Sequence, residues 1–296
     1  MPKLTPRQFC LIILGTLIAT ALCACGREDV WEASSYVESS PYCDARYFTY
    51  EDGRYAFRSA DAVGRTGVDV SEYQGSIDWE AAAYDGIDFA FVRIGYRGST
   101  EGGLYADERF EENVQGAQAA GIDCGVYFFS QATSVAEAEE EAAFVLSLLA
   151  YRELEYPVVF DYEFGDGTRI AHLDRDTATA CACAFCDAIE AGDYTPMLYG
   201  NAWDLDRLHM DELGDYELWL AEYDGPPVYA GRFAIWQYTA NGSVAGFGSS
   251  VDLNLDLGYR PDTPWGSPLG TGPNGELVMR GCACGACAAE ARASGR

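Results

Sequence analysis

Two acidic residues end the sequence PVVFDYE at 157–163, Asp161 and Glu163, and two more lie in other apolar runs, Asp69 and Asp252. Alternate residues of a strand point to one side, which places Asp161 and Glu163 on one face with Cα atoms ~6.5 Å apart. Crowded carboxylates raise one another's pKa, so one of them keeps its proton near neutral pH. A protonated acid beside a carboxylate is the equipment that cleavage of a glycosidic bond requires.

We expect Glu163 to be the general acid, because it lies furthest along its strand and has the longer side chain. Asp161 and Asp69 would hold the proton of Glu163 and orient a substrate amide or hydroxyl. Asp252 is the candidate nucleophile or electrostatic stabiliser. A lone D-x-E arises easily by chance in an acidic protein, so the hypothesis depends on the combination of acids from separate runs.

Aromatic residues accompany the acids near the predicted strand ends, and sugar rings stack on such faces. Tyr127, Tyr199 and Trp219 are the candidate substrate contacts. The alternative is that these residues belong to the core of the domain.

Short apolar runs alternate with helical patterns from residue 65 onward, and this alternation indicates parallel strands joined by βαβ units. The predicted strands span 66–70, 88–95, 123–130, 156–163, 196–200, 217–222, 232–238 and 250–254, and the predicted helices span 79–84, 108–120, 135–151 and 176–191. The fold class is therefore α/β, an irregular β/α (TIM-like) barrel with a single catalytic domain, whose site would lie at the C-terminal ends of the strands. An open doubly wound sheet is the structural alternative, although no G-x-G-x-x-G follows any strand.

The composition excludes several other kinds of site. The formal net charge of −28 argues against nucleic acid as a partner, because binding phosphates requires Lys and Arg. The only histidines are His172 and His209, too few for a His-rich metal site, and we interpret both as surface or turn residues. We expect no cofactor and no metal, and a monomer.

The first 25 residues resemble an export signal. Lys3 and Arg7 precede an uncharged apolar run over 9–24, which is short for a membrane span. The end of that run, Leu22 to Cys25, resembles a bacterial lipobox, with Cys25 as the lipidated residue. Plain signal cleavage or an uncleaved anchor are the alternatives. We expect an extracellular or cell-surface protein, in contact with the membrane if it is lipidated.

The predicted organisation has four parts: the signal at 1–25, a tether at 26–64, the catalytic barrel at 65–258 and a Pro/Gly-rich, cysteine-bearing tail at 259–296. Two C-x-C-x-x-C triplets suggest either metal binding or disulfides. The first, Cys181, Cys183 and Cys186, lies in an Ala-rich helical pattern that favours packing. The second, Cys282, Cys284 and Cys287, lies in the tail.

The sequence GVDVSEYQG at 67–75, followed by IDW, resembles the opening motif of the glycoside hydrolase family 25 lysozymes. FAFVRIGYRG, GVYFFSQA, PVVFDYE, LYGN, LWLAEY, AIWQYT and VDLN resemble further motifs of that family, in its order. The resemblance covers roughly residues 65 to 258. Each motif alone is weak, but together they are highly specific.

The resemblance implies an N-acetylmuramidase that cleaves the β-1,4 bond between N-acetylmuramic acid and N-acetylglucosamine in bacterial peptidoglycan, metal-free and with retention. The family's acidic positions match Asp69, Asp161, Glu163 and Asp252, with Glu163 on the proton donor. It leaves open whether a carboxylate or the substrate's N-acetyl group is the nucleophile. Another exported glycosidase, acting on a chitin-type substrate, and a binding protein without turnover are the alternative functions.

Overall fold

The structure is a computed structural model that describes residues 44–59 and 62–259, together with the backbone of two short strands further on. The strands are β1 Phe48–Glu51, β2 Arg54–Phe57, β3 Arg65–Val70, β4 Phe89–Arg97, β5 Leu104–Ala106, β6 Asp123–Phe129, β7 Val158–Asp161, β8 Pro196–Asn201, β9 Glu217–Ala221, β10 Ile235–Gly242, β11 Val251–Asp256, β12 Pro268–Thr271 and β13 Leu277–Met279. The helices are α1 Trp79–Tyr84, α2 Phe110–Ala119, α3 Val135–Leu149, α4 Arg175–Ala191 and α5 Ala202–Leu205, and short 3₁₀ turns lie at Ala45–Tyr47 and Glu72–Gln74.

Eight strands form a closed barrel in the order β3-β11-β10-β9-β8-β7-β6-β4, and pairing of β3 with β4 closes it. Strand β5 adds to the outside by pairing antiparallel with β4. The predicted strands all occur, within a few residues of their predicted bounds. The prediction of an irregular β/α barrel is therefore confirmed, and the open-sheet alternative is excluded.

One barrel strand runs against the others, which the sequence analysis did not anticipate. Strand β11 pairs antiparallel with both β10 and β3, whereas the other neighbours in the barrel are parallel. The reversal follows from chain length, because the connection over 243–250 is shorter than the dozen or so residues that a parallel crossover needs. It brings the beginning of β11 to the end of the barrel where the parallel strands finish, called the mouth below; the opposite end is the base.

Helices α2, α3 and α4 pack around the barrel and begin and end close to the predicted positions. The side chain of Ser134 caps α3 through the amide of Glu137, and that of Asp174 caps α4 through the amide of Thr177. Such N-caps accept hydrogen bonds from amides that have no partner within the helix. The buried face of α4 includes Cys181 and Cys186, so these thiols are packing residues, as the sequence favoured.

Aromatic rings fill the barrel interior. Phe89 stacks on Tyr156 with ring centres 4.6 Å apart, and Phe91 stacks on Trp219 at 4.5 Å. Two inward-facing glycines make room for them. A Cβ at Gly67 would lie 2.3 Å from the ring of Phe89, and one at Gly125 would lie 2.5 Å from the ring of Phe91. The site at the mouth therefore rests on a tightly filled column rather than on a pore.

A hairpin of β1 and β2 covers the barrel at β10. Its rings pack on β10: Phe48 and Tyr55 lie 5.3 Å and 4.9 Å from Trp236, centre to centre. The turn is Asp52-Gly53, with positive φ at both residues, as a two-residue hairpin requires. The hairpin lies within the stretch predicted as a tether, and it packs on the domain.

Residues 1–43, with Cys25, and the tail cysteines lie outside the described residues. Within 44–59 and 62–259, no helix is both long and apolar enough to cross a bilayer.

We predict that Gly125→Ala lowers the free energy of unfolding by about 1–3 kcal/mol, because the added methyl group overpacks the interior. Its Cβ would also meet the Cβ of Tyr156 at 2.7 Å, which no rotation of that ring relieves. Urea denaturation followed by circular dichroism measures the change. Gly248→Ala is the matched control, since Gly248 is exposed and has nothing within 4 Å of its added Cβ. Equal stability of the two variants would contradict the packing argument.

Candidate active site

The first feature of the mouth is a pair of hydrogen-bonded carboxyl groups on neighbouring strands. Asp69, near the end of β3, is the register partner of Asp252, at the beginning of the reversed strand β11. The two side-chain carboxyl groups are hydrogen-bonded to each other, so one of them carries a proton. Burial raises the pKa of Asp69 well above its usual range, and the charge of Asp252 raises it further. Asp69 is 6% exposed while Asp252 is only partly buried, so the proton lies on the inner residue.

Two buried amide side chains donate hydrogen bonds to Asp69. Gln237 donates from Nε2 to Oδ2 of Asp69 at 2.9 Å, and Asn254 donates from Nδ2 to the same oxygen at 2.8 Å. Gln237 and Asn254 are both buried. Neutral donors can satisfy a buried carboxyl oxygen without adding charge to the site.

Aromatic side chains in turn fix the orientation of these amides. The hydroxyl groups of Tyr199 and Tyr223 both donate to Oε1 of Gln237, at 2.9 Å and 2.7 Å. Trp219 donates from Nε1 to Oδ1 of Asn254 at 2.8 Å. Because each amide oxygen is occupied by a donor, the amide nitrogen of each side chain faces Asp69.

The second pair consists of Asp161, the last residue of β7, and Glu163, two residues beyond it. Their carboxyl groups are hydrogen-bonded, so they share a side as the alternation of the strand predicted. Burial raises the pKa of Asp161 well above its usual range, and the charge of Glu163 raises it further. Oδ1 of Asp161 is buried with no hydrogen-bond partner among the described residues, which makes a charged Asp161 costly.

The two pairs are close enough to affect each other. Burial raises the pKa of Glu163 above its usual range, and the charges of Asp204 and Asp252 add to that effect. The charge of Asp69 contributes to the raised pKa of Asp161. The structure thus brings all four predicted acids together at the mouth.

The four acids divide into an inner and an outer set. Asp69 and Asp161 are almost fully buried, with exposures of 6% and 4%, and each is hydrogen-bonded to a more accessible partner. Asp252 and Glu163 are the partly exposed members that a ligand can reach. Two accessible carboxyl groups, each backed by a proton-holding neighbour, can carry out acid–base chemistry on a bond placed between them.

The three predicted substrate contacts take different positions. Tyr127 and Tyr199 are half-buried at the mouth, and the charge of Asp69 contributes to the raised pKa of both after the larger effect of burial. Trp219 is only 2% exposed and lies against the ring of Tyr199 at 4.6 Å. The expectation that sugar stacks on Trp219 does not fit this burial. Its indole instead orients Asn254 from inside the barrel.

Sequence reasoning missed several residues of the site. Gln237 and Asn254 occur there only within the motifs AIWQYT and VDLN, and no sequence signal singles out Asp204 or the exposed Trp203. A signal existed for Asn254, because it alternates with Asp252 along β11 and so faces the same interior. His172 is exposed and His209 contacts Asp176 at 2.8 Å, so the expectation of surface or turn positions is met.

Residues 68–247 match the family described as Glycosyl hydrolases family 25. This match spans more than half of the chain and includes Asp69, Asp161 and Glu163. The chain belongs to glycosyl hydrolase family 25. Asp252 lies just past the matched range, on the strand that pairs with Asp69.

Relatives of this family 25 protein include two proteins named lysozymes. It is 26% identical over 189 residues to the autolytic lysozyme of Clostridium acetobutylicum, covering 64% of this chain and 54% of that protein. The chain thus spans about half the length of this relative. It is 28% identical over 208 residues to lysozyme M1 of Streptomyces globisporus, covering 66% of this chain and 68% of that protein.

Solved structures agree with the fold. The bacterial lysozyme from Streptomyces coelicolor superposes with a TM-score of 0.56 at 26% identity, covering 66% of this chain and 93% of that one. The spore cortex lytic enzyme SleM of Clostridium perfringens gives 0.58 at 25% identity, covering 65% of this chain and 67% of that one.

We predict that Asp252→Asn raises the free energy of unfolding near pH 7 by on the order of 1 kcal/mol, because it removes a partly buried charge that also disfavours ionisation of Asp69. The folded state binds the Asp69 proton more tightly than the unfolded state does, so wild-type stability rises as pH falls from neutral toward the ordinary Asp range. In the variant this rise is smaller. Urea unfolding at several pH values measures it.

The matched control is Asp166→Asn, an exposed residue on the loop after β7. It removes the same charge without touching either pair, so its stability should follow the wild type at every pH. An Asp252→Asn protein with the wild-type pH dependence would show that the charge of Asp252 has no effect on the ionisation of Asp69.

Proposed function

We propose that this family 25 protein is an exported muramidase that hydrolyses the β-1,4 bond between N-acetylmuramic acid and N-acetylglucosamine in peptidoglycan. Glu163 is the general acid. The inner and outer division of the four acids at the mouth carries the proposal. Membership of the family and two relatives named lysozymes support the same substrate class.

The proton for the leaving group comes from the Asp161–Glu163 pair. The buried position of Asp161 favours its neutral form, and its hydrogen bond lets the proton pass to Glu163. Glu163 is the more accessible member and can reach the glycosidic oxygen. Proton transfer to that oxygen breaks the C–O bond, and the charge left on the pair is spread over both residues.

Asp252 faces the positive charge that develops at the anomeric carbon. It accepts the hydrogen bond from Asp69, which keeps Asp252 ionised despite the burial that raises its pKa. A carboxylate there acts as the nucleophile, or it stabilises the oxocarbenium-like centre while the substrate's N-acetyl group attacks. Asp69 supports either route from beneath, held by Gln237 and Asn254.

Aromatic side chains around the mouth suit an uncharged sugar polymer. Tyr127 and Tyr199 border the acids, while Trp203 on α5 and Tyr223 after β9 are 56% and 46% exposed. Sugar faces pack on such rings. The net charge of −28 disfavours nucleic acid as a partner, and the protein acts on glycan as a monomer.

The amino-terminal sequence supports export to the cell surface. Lys3, Arg7 and the apolar run after them have the composition of a signal, and the sequence before Cys25 resembles a lipobox. In this proposal Cys25 carries lipid and attaches the enzyme to the membrane beside its wall substrate.

We predict that Glu163→Gln lowers the rate of peptidoglycan hydrolysis by at least ~10²-fold while the fold remains intact, because an amide cannot donate the proton. Reducing ends released from purified peptidoglycan measure the rate, and circular dichroism checks the fold. Glu139→Gln, on the exposed side of α3, is the matched control and should retain full activity. A folded Glu163→Gln protein that lyses walls at the wild-type rate would refute the assignment.

Mass spectrometry of the same digests identifies the bond. N-acetylmuramic acid at the new reducing ends supports a muramidase. N-acetylglucosamine at those ends, or faster cleavage of chitin than of peptidoglycan, would replace it with the chitin-type alternative. Folded protein that binds peptidoglycan and releases no ends would leave only a binding role.

We predict that Cys25→Ser moves the protein from the membrane fraction to the soluble exported fraction, because the lipidated thiol is lost. Metabolic labelling with a fatty acid and cell fractionation measure this. Cys23→Ser is the control and should still label. Equal labelling or equal distribution of the two variants would favour plain secretion or an uncleaved anchor.

A further inference from the structure

Asp204 is a buried acid beside the active site that the proposed mechanism does not use. It lies on α5, the short helix directly after β8, and is 2% exposed. Its Oδ1 accepts a hydrogen bond from the backbone N–H of Phe164 at 2.9 Å, and its Oδ2 accepts one from Nδ2 of Asn201 at 2.5 Å. Asp204 therefore joins α5 to the residue that follows Glu163.

This contact fixes a part of the chain that the sheet does not hold. Strand β7 ends at Asp161, so Glu163 lies beyond the pairing with β6 and β8. The hydrogen bond from the backbone N–H of Phe164 to Asp204 fixes the position of the backbone immediately after Glu163. Asn201 holds the other side of the contact, because its side-chain oxygen caps α5 through the amides of Trp203 and Asp204.

The charge of Asp204 also acts on Glu163. After burial, it is the largest influence that raises the pKa of Glu163, and it contributes to that of Asp161. Burial raises the pKa of Asp204, and its two hydrogen-bond donors and the nearby guanidinium of Arg207 offset part of that effect. Arg207 is itself engaged, lying 4.6 Å from the ring of Phe164 and donating to backbone carbonyls.

The groups that face Glu163 come from several elements of the mouth. They are Asp161 on β7, Tyr199 on β8, Asp204 on α5, Tyr223 after β9 and Asp252 on β11. Asp161 and Asp252 already belong to the acid pairs. Asp204 is the member of this set that lies outside both pairs and bonds to the backbone next to Glu163.

We propose that Asp204 is a positioning residue for Glu163, whose buried carboxylate holds the backbone after Glu163 and whose charge keeps the proton on the Asp161–Glu163 pair. The inference rests on the proposed function, because it assumes that Glu163 is the general acid. Without the negative charge at position 204, the Asp161–Glu163 pair loses its proton at lower pH. The high-pH limb of the activity profile, where the general acid deprotonates, then moves downward.

The decisive variant moves the charge while keeping the hydrogen bonds. In the double variant Asn201→Asp/Asp204→Asn, the amide at 204 still accepts from Phe164 N–H and donates to the new carboxylate at 201. That carboxylate still caps α5. The single variant Asp204→Asn places its amide nitrogen against Nδ2 of Asn201, so that two donors face each other. Asp204→Ala removes the hydrogen bond from Phe164.

The experiment is the pH dependence of kcat/KM on purified soluble peptidoglycan fragments, with thermal unfolding to check each fold. We expect the double variant to shift the high-pH limb down by about one unit or more, with kcat on the low-pH plateau within a few-fold of the wild type. Asp204→Ala should lose activity at every pH. Glu139→Gln should keep the wild-type profile.

The outcomes separate this inference from the proposed function. If Glu163→Gln remains active, the general-acid assignment fails. If Glu163→Gln is inactive while the folded double variant keeps the wild-type limb, Asp204 has only a structural role and the inference is overturned. If the double variant does not fold, the folded Asp204→Asn variant is measured in its place, and a wild-type limb in that variant overturns the inference.

Discussion

The carboxyl–carboxylate contact is the interaction on which the rest of the site depends. Two acids placed together in a buried setting cannot both be ionised, so each pair holds a proton near neutral pH. The barrel makes this tolerable by giving Asp69 two neutral amide donors and by burying Asp161 at the end of its strand. The chemistry at the mouth and the energetic cost of burying these acids therefore have the same origin.

That contact exists because one strand is reversed. If β11 ran parallel to its neighbours, Asp252 at its beginning would lie at the base, a barrel length away from Asp69. The antiparallel register puts the two residues side by side. Beneath these two residues, stacked aromatic rings fill the barrel interior, with glycines where the rings need space. The acidic side chains therefore cannot move further into the barrel.

Much of this could be predicted from the sequence, because strand alternation and apolar periodicity report directly on the elements and on which acids share a face. The direction of β11 could have been inferred too, since its short connection forbids a crossover. The hairpin at 48–57 carried a readable Asp-Gly turn. What could not be predicted was non-local: that Trp219 turns inward to Asn254, or that Asp204 reaches Phe164, depends on how separate loops meet.

The hairpin that covers β10 has a topological consequence. The described domain begins at Asp44, close to Tyr47, whose carbonyl accepts a hydrogen bond from the amide of Arg58. It ends at Tyr259, whose ring centre lies 5.5 Å from that of Tyr156. Gly64, which lies near Arg58, and Asp256, which lies near Tyr259, are close to each other at the base of the barrel. Both ends of the described domain thus lie on the side opposite the carboxylates, and neither of them borders the opening across which the proposed glycan substrate would lie.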